Sequence, residues 1–380
     1  MQRAESGYDT RGFAAPFCPI RGVSLACRNA ILSPKNVRAA PRKVDLVKVL
    51  LAAIVVATAT SMLSSVALST AAVRQSASPA AAQAAPFQVP PEALAALDQT
   101  YSGNPREAIR IAREIEKSQP DSALGYVLEN EARWSVIYCA SCEIKWGMVD
   151  GWKRPKTTAK NAAGEVEDDA YVAAADRALE LATASIARTN SAGDHLYAAM
   201  ANAQKARLFG LRDETRATAK SAVAARAEFL KALEIDPQMA DASTGLGLYN
   251  YYVDSLSSVV KVLRFFMGIP GGSKQEGLKQ LEDGMQRGVL MKATARFYLA
   301  KNLRTYDLEY ARAAGYLAPL LQQYPQNPTF ALIMANLEIE QGQRDAAAKR
   351  LQAIAAMPIS DPDCAARTQK LAAEMLTATR

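Results

Sequence analysis

Cys139 and Cys142, in the stretch WSVIYCASCEIKWGMVDGW, are the side chains of this chain best suited to chemistry. A C-x-x-C spacing can serve as a redox dithiol, as half of a zinc site, or as a local cross-link. A redox dithiol needs an exposed thiolate of lowered pKa, usually at a helix start that follows a strand. This pair instead follows a helical pattern beginning near Leu124, and no strand precedes it. Glu143 comes next, so the haem-attachment motif is missing. A zinc site would need two further ligands, and Cys364 and His195 lack the spacing. No metal and no cofactor are therefore expected. The pair reads as packing within a helix or as a Cys139–Cys142 disulfide that pins its end, with a thiol–disulfide redox protein as the rival. All three tryptophans fall in the same stretch. Trp134, Tyr138 and Cys142 share a helical face, whereas Trp146 and Trp152 lie beside Gly147 and Gly151 and would suit a partner-binding lip.

Other constellations are weaker. GIPGGSK, Gly268 to Lys274, departs from a phosphate loop at Ser273 and Gln275 and follows no strand. It reads as a tight turn into a capped helix whose free N–H groups could hold an anion. YNYYVDSL is strongly aromatic, and helical spacing cannot place Tyr249, Tyr251 and Tyr252 on one face. Tyr249, Asn250 and Tyr252, continued by Tyr298, Asn302 and Tyr306, are the candidates for a partner-binding groove. Phe265, Phe266 and Met267 could line an apolar cavity, which would suit a lipid or small-molecule carrier. His195 has Asp194 beside it but no nucleophile in a known motif. No paired-carboxylate or Ser/His/Asp arrangement emerges, so the chain is expected to be non-enzymatic, with no catalytic residue.

The elements that must position these residues are helices. From about residue 91, Ala is abundant and apolar residues recur at i, i+3, i+4 and i+7, as at Ala222, Ala225, Phe229, Ala232 and Leu233. Asn104-Pro105, Asn327-Pro328, Asp361-Pro362 and Ser273-x-x-Glu276 mark helix starts. Pro120, Pro237, Pro325 and Pro358 mark stops. About fourteen helices are expected and no strand. Residues 155–169, PKTTAKNAAGEVEDD, read as a polar insertion.

The stops expose a repeat. Ala225, Phe229 and Pro237 are spaced by four and eight, as are Ala313, Leu317 and Pro325, and Ala108, Ala112 and Pro120; Ala347, Leu351 and Pro358 miss by one. With Leu246-Gly247 following Pro237, the chain resembles the tetratricopeptide-repeat superfamily over roughly 100–360. The block from Gly247 to Gly288, with its Gly-rich turn and the Gly277-Leu278-x-x-Leu281 helix, is similar to a narrower group that has mitochondrial-outer-membrane and lipid-droplet members. The resemblance implies an all-α, right-handed superhelix (an α-solenoid) of helix hairpins. Its concave groove would hold a partner peptide or helix.

Charge and leader complete the picture. Nine of the 45 Lys/Arg and three of the 38 Asp/Glu lie in residues 1–48, which leaves 36 against 35 in the body. A near-neutral body argues against nucleic acid as a partner. Residues 49–73 carry no charge, and Ala82-Gln83-Ala84 follows as a cleavage-type site. Residues 49–84 therefore read as a signal peptide or a membrane anchor, 1–48 as a disordered basic extension with the true translation start near Val44 or Val47, and 85–98 as a linker. The repeat domain is expected over 99–360 and a capping helix over 361–380. The expectation is a periplasmic or secreted scaffold, with membrane association through 49–73 if the leader is retained. Nothing in the sequence fixes its oligomeric state.

Overall fold

The computed structural model describes residues 87–141, 162–256, 261, 264 and 268–379. The basic extension, the candidate leader, Cys142, Trp146, Trp152, and Phe265 to Met267 lie outside these residues. The described residues hold thirteen α-helices and no strand. They are α1 (Pro91–Tyr101), α2 (Pro105–Ser118), α3 (Leu124–Ser141), α4 (Ala162–Thr189), α5 (Ala192–Leu211), α6 (Thr215–Ile235), α7 (Ala240–Asp254), α8 (Lys274–Arg287), α9 (Lys292–Asn302), α10 (Tyr310–Gln323), α11 (Pro328–Glu340), α12 (Arg344–Ala355) and α13 (Pro362–Thr379). A π-helical turn, Leu303–Asp307, extends α9. None of the described helices is long and apolar enough to cross a membrane.

Local chemistry sets the helix ends. Asn327 Oδ1 accepts the Phe330 N–H at 3.1 Å, Asp361 Oδ1 accepts the Cys364 N–H at 2.8 Å, and Ser273 Oγ accepts the Glu276 N–H at 3.3 Å. Asn104 differs: its side chain donates to Gln99 Oε1 and leaves the helix start uncapped. Helix α4 begins at Ala162, inside the stretch read as a polar insertion. Asp168 in that stretch is buried, with its carboxylate 2.6 and 2.8 Å from the Arg212 guanidinium. The ion pair draws the polar segment into the fold, which a composition-based reading could not see.

Consecutive helices pack in order as hairpins, α1/α2 through α11/α12, and α13 covers the last. This is the helical-hairpin solenoid that the resemblance implied. The two helices of each hairpin differ in kind. The second helices bury one stripe: Ala225, Phe229 and Ala232 in α6; Ala313, Leu317 and Leu320 in α10; Ala347, Leu351 and Ile354 in α12. These are the repeat positions. Full burial of Phe229 or Leu317 stabilises by about 1.5–3 kcal/mol each. The first helices are buried on several faces; in α11 every residue from Phe330 to Glu338 is buried. They touch one another as well as their hairpin mates, with α1 on α3, α3 on α5, and α5 on α7. An outer layer of amphipathic helices thus surrounds an inner layer of buried ones.

Hairpin α7/α8 brings two backbones into contact. A Cβ built on Gly277 would stand 2.7 Å from Gly247 O and 2.8 Å from the Tyr251 N, so two backbones meet where only glycine fits. A Cβ on Gly245 would stand 2.0 Å from Phe229 Cζ, so the repeat's large residue fills a slot that the next hairpin leaves open. Asp241, buried on α7, accepts the N–H groups of Val289, Leu290 and Met291 and fixes the turn into α9.

Candidate functional site

The inner helices close on themselves. Tyr101 at the end of α1 donates or accepts at Thr294 Oγ1 of α9, 2.7 Å away, and its carbonyl accepts from Asn327 Nδ2 at 2.9 Å. Its ring lies against Tyr324 and Phe330. Helix α13 packs against α3, and Cys139 of α3 is disulfide-bonded to Cys364 of α13 across 225 residues of sequence. This corrects the expected Cys139–Cys142 bridge. The inner position of α3 carries Cys139 toward α13, where the Cα of Cys364 is 5.1 Å away, within the span of a disulfide. Both cysteines are buried, and Thr368 Oγ1 lies 3.5 Å from Cys139 Sγ.

Along this closure the aromatic side chains touch in series. Tyr306 contacts Tyr252, Tyr252 contacts Tyr298, Tyr298 contacts Phe297, and Phe297 contacts both Tyr138 and Phe330, with ring centroids 5.4–6.4 Å apart. Tyr138 continues to Trp134. Cations lie over this wall. Arg207 Cζ is 4.3 Å from the Trp134 centroid, and Lys301 Nζ is 5.5 Å from Tyr138 and 5.4 Å from Tyr298. Burial opposes the Arg207 charge, but Glu131, at 2.9 Å, more than offsets it and raises the arginine's pKa. Burial also pushes the Tyr101 hydroxyl well above its ordinary range, so it stays a neutral hydrogen-bonding group.

A cavity of about 60 Å³ lies where α1, α3, α5, α9 and α11 meet, lined by Tyr101, Glu131, Trp134, Arg207, Tyr298 and Phe330 among others. A second, of about 40 Å³, adjoins it beside Cys139 and Cys364 and shares Thr100, Ser135, Asn327 and Thr329 with the first. Small-molecule pockets run to about 300–1,000 Å³. These two take a few waters or one side chain. No cluster of metal-ligating side chains occurs among the described residues.

The six groove candidates divide. Tyr252, Tyr298, Asn302 and Tyr306 come together: Tyr252 Oη donates to Asn302 Oδ1 at 2.9 Å, and the rings of Tyr298 and Tyr306 flank Tyr252. Asn302 and Tyr298 are buried. Tyr249 and Asn250 point elsewhere: Tyr249 Oη donates to Pro270 O, and Asn250 Nδ2 donates to Gln280 Oε1. Tyr251, left out of the candidates, is fully buried and donates to Asp307 Oδ2 at 2.9 Å. Sequence reasoning missed Tyr101, Phe297, Phe330, Arg207 and Glu131. They lie on five different inner helices, so no local pattern in the sequence flags them as a group.

No family model matches the chain, and no curated protein matches it. Solved structures similar to it include the APC/C hetero-tetramer Cut9–Hcn1, at 11% identity and a TM-score of 0.36, covering 77% of this chain and 49% of that one. Others are the IFIT1 monomeric mutant with Gppp-AAAA, at 10% identity, TM-score 0.33 and coverage of 73% and 68%, and the yeast Tom70, at 10% identity, TM-score 0.25 and coverage of 76% and 89%. The chain spans about half the length of the first of these.

Proposed function

We propose that this chain is an exported, non-catalytic scaffold that binds a protein partner at the seam between its inner helices. The observation that carries this reading is the cavity lined by Tyr101, Trp134, Tyr298 and Phe330 with the Arg207–Glu131 pair at its wall. Its size fits one side chain of an extended segment lying across the seam. Aromatic residues and arginine around a small pocket are the usual anchors of such contacts. The partner peptide or helix expected in a concave groove is thereby narrowed to one extended segment anchored by a side chain.

One reading loses support. A redox role needs an exposed thiolate, whereas Cys139 is buried and bonded to Cys364. The carrier reading rests on Phe265, Phe266 and Met267, which lie outside the described residues. The uncharged run 49–73 and the long-range disulfide both favour an oxidising compartment outside the cytoplasm. The test is a photo-crosslinking amino acid placed at Thr329, on the cavity rim, or at exposed Lys349 on α12, in the chain expressed in its native cells. One discrete protein adduct is expected at position 329, none at 349, and Thr294→Trp, which fills the cavity, should abolish it. Equal adducts at both positions, or no effect of T294W, would reject the site.

A further inference from the structure

A second site lies on the far side of α7, where two arginines that make no ion pair among the described residues act on one tyrosine. Arg226 of α6 has its Cζ 5.5 Å from the Tyr249 ring centroid. Arg264 packs over the Gly268–Ser273 turn: a Cβ built on Gly271 would lie 3.5 Å from its Nη2. Tyr249 joins the two, because its hydroxyl donates to Pro270 O of that turn at 2.8 Å and both guanidinium charges reach it. The Nε of each arginine is enclosed and has no hydrogen-bond acceptor among the described residues. Neither arginine makes an ion pair among the described residues. Asp254 feels the Arg264 charge, but its oxygens are taken by Lys261 Nζ and the Lys274 N–H, both at 2.9 Å.

The turn itself adds donors. The N–H groups of Gly271, Gly272 and Ser273 have no acceptor among the described residues, and they lead into the N-terminus of α8. Gly272 cannot carry a side chain here, since its Cβ would meet the Asn250 backbone at 2.7 Å, so the turn stays pressed on α7 beside Tyr249. An enclosed Nε–H without a partner is destabilising unless something accepts from it. Two positive charges acting on one hydroxyl call for a ligand of charge near −2; a single carboxylate would leave one unmatched. Arginine forks and backbone N–H groups suit the several oxygens of a phosphate.

We infer that Arg226, Arg264 and the Gly271–Ser273 backbone form a binding site for a phosphate group, carried by a soluble phosphate ester or by a phospholipid headgroup. The site is independent of the seam. The test is titration of the full-length chain with inorganic phosphate, followed through the arginine Nε–H resonances in ¹H–¹⁵N spectra. Saturable shifts of two Nε–H signals are expected, assigned with Arg226→Gln and Arg264→Gln. Each substitution should weaken phosphate binding by about tenfold or more, and Arg226→Lys, which keeps the charge but not the fork, should weaken it less. Acetate at equal concentration should not saturate.

Glycerol phosphate and phosphatidic-acid vesicles then separate the sources. Binding of the soluble ester alone identifies a small-molecule site. Sedimentation with the vesicles, absent with phosphatidylcholine and lost in the R226Q/R264Q chain, identifies a headgroup site, because the leader is common to both chains. Wild-type resonances that do not saturate with phosphate, or a double variant that binds as well as wild type, would overturn the proposal.

Discussion

Hairpin α7/α8 and the seam between α3 and α13 hold helices together in opposite ways. In the hairpin the partners are near neighbours in sequence, and Gly247 and Gly277 let two backbones touch with no side chain between them. In the seam Cys139–Cys364 joins α3 to α13 across 225 residues, and beside it Tyr101 of α1 bonds Thr294 of α9 and, through its carbonyl, Asn327 at the start of α11. The hairpin is close packing that forms locally. The seam joins distant parts of the chain, and its closure entropy grows with the length of the loop. A repeat chain gains stability mostly from neighbour contacts; this one adds a cross-link where neighbours end.

The comparison can be broken from either side. The largest effect is expected at the seam. Cys139→Ser with Cys364→Ser should lower unfolding stability by about 2–5 kcal/mol, because the disulfide constrains a very long loop in the unfolded chain. Denaturant unfolding with and without reductant measures this, and amide exchange should show α13 loosening while α7/α8 keeps its protection. A middle effect is expected at the hairpin. Gly277→Ala should destabilise by about 1–3 kcal/mol despite alanine's better helix propensity, since the added carbon meets backbone. Gly315→Ala in α10, where the added carbon meets nothing within 4 Å, should instead stabilise by about 0.5–1 kcal/mol.

The smallest effect sharpens the polar side of the seam helix. On α3, buried Glu129 is bonded to Arg133 and Arg113, and it lies against Glu116 of α2. Burial, then the Glu129 carboxylate, pushes Glu116 up to about 8. A carboxyl with a raised folded-state pKa stabilises fully below its unfolded value of 4.5, and that contribution fades as pH rises to about 8. Glu116→Gln should therefore leave the Tm unchanged near pH 4.5 and raise it above pH 8. A Tm difference independent of pH would refute the proton-sharing pair.

How much of this was legible in the sequence follows from range. Ala225, Phe229 and Pro237 repeat at fixed spacing because one stripe of each outer helix meets a hairpin mate close in sequence, and periodicity records such contacts. Caps at Asn327, Asp361 and Ser273 were equally local. The seam was hidden. Cys139 looks paired with Cys142 because nothing in the spacing reveals that α13 returns to α3. Tyr101, Phe297 and Phe330 come from three hairpins, and only closure of the inner layer brings their rings together. Tyr252, Tyr298, Asn302 and Tyr306 come together because they lie on the neighbouring inner helices α7 and α9 and the turn that follows α9. Tyr249 and Asn250 were misplaced because α7 is buried on several faces, so adjacent residues on it point to different partners.

The closure of the inner layer is tested most directly by peptide mapping of the chain purified from its native cells, alkylated without reduction and cut after Lys and Arg. The peptide Trp134–Lys145 should appear joined to Leu351–Arg367 through Cys139 and Cys364, with Cys142 alkylated. Recovery of Trp134–Lys145 with an internal Cys139–Cys142 bridge, or with all three cysteines alkylated, would contradict the account.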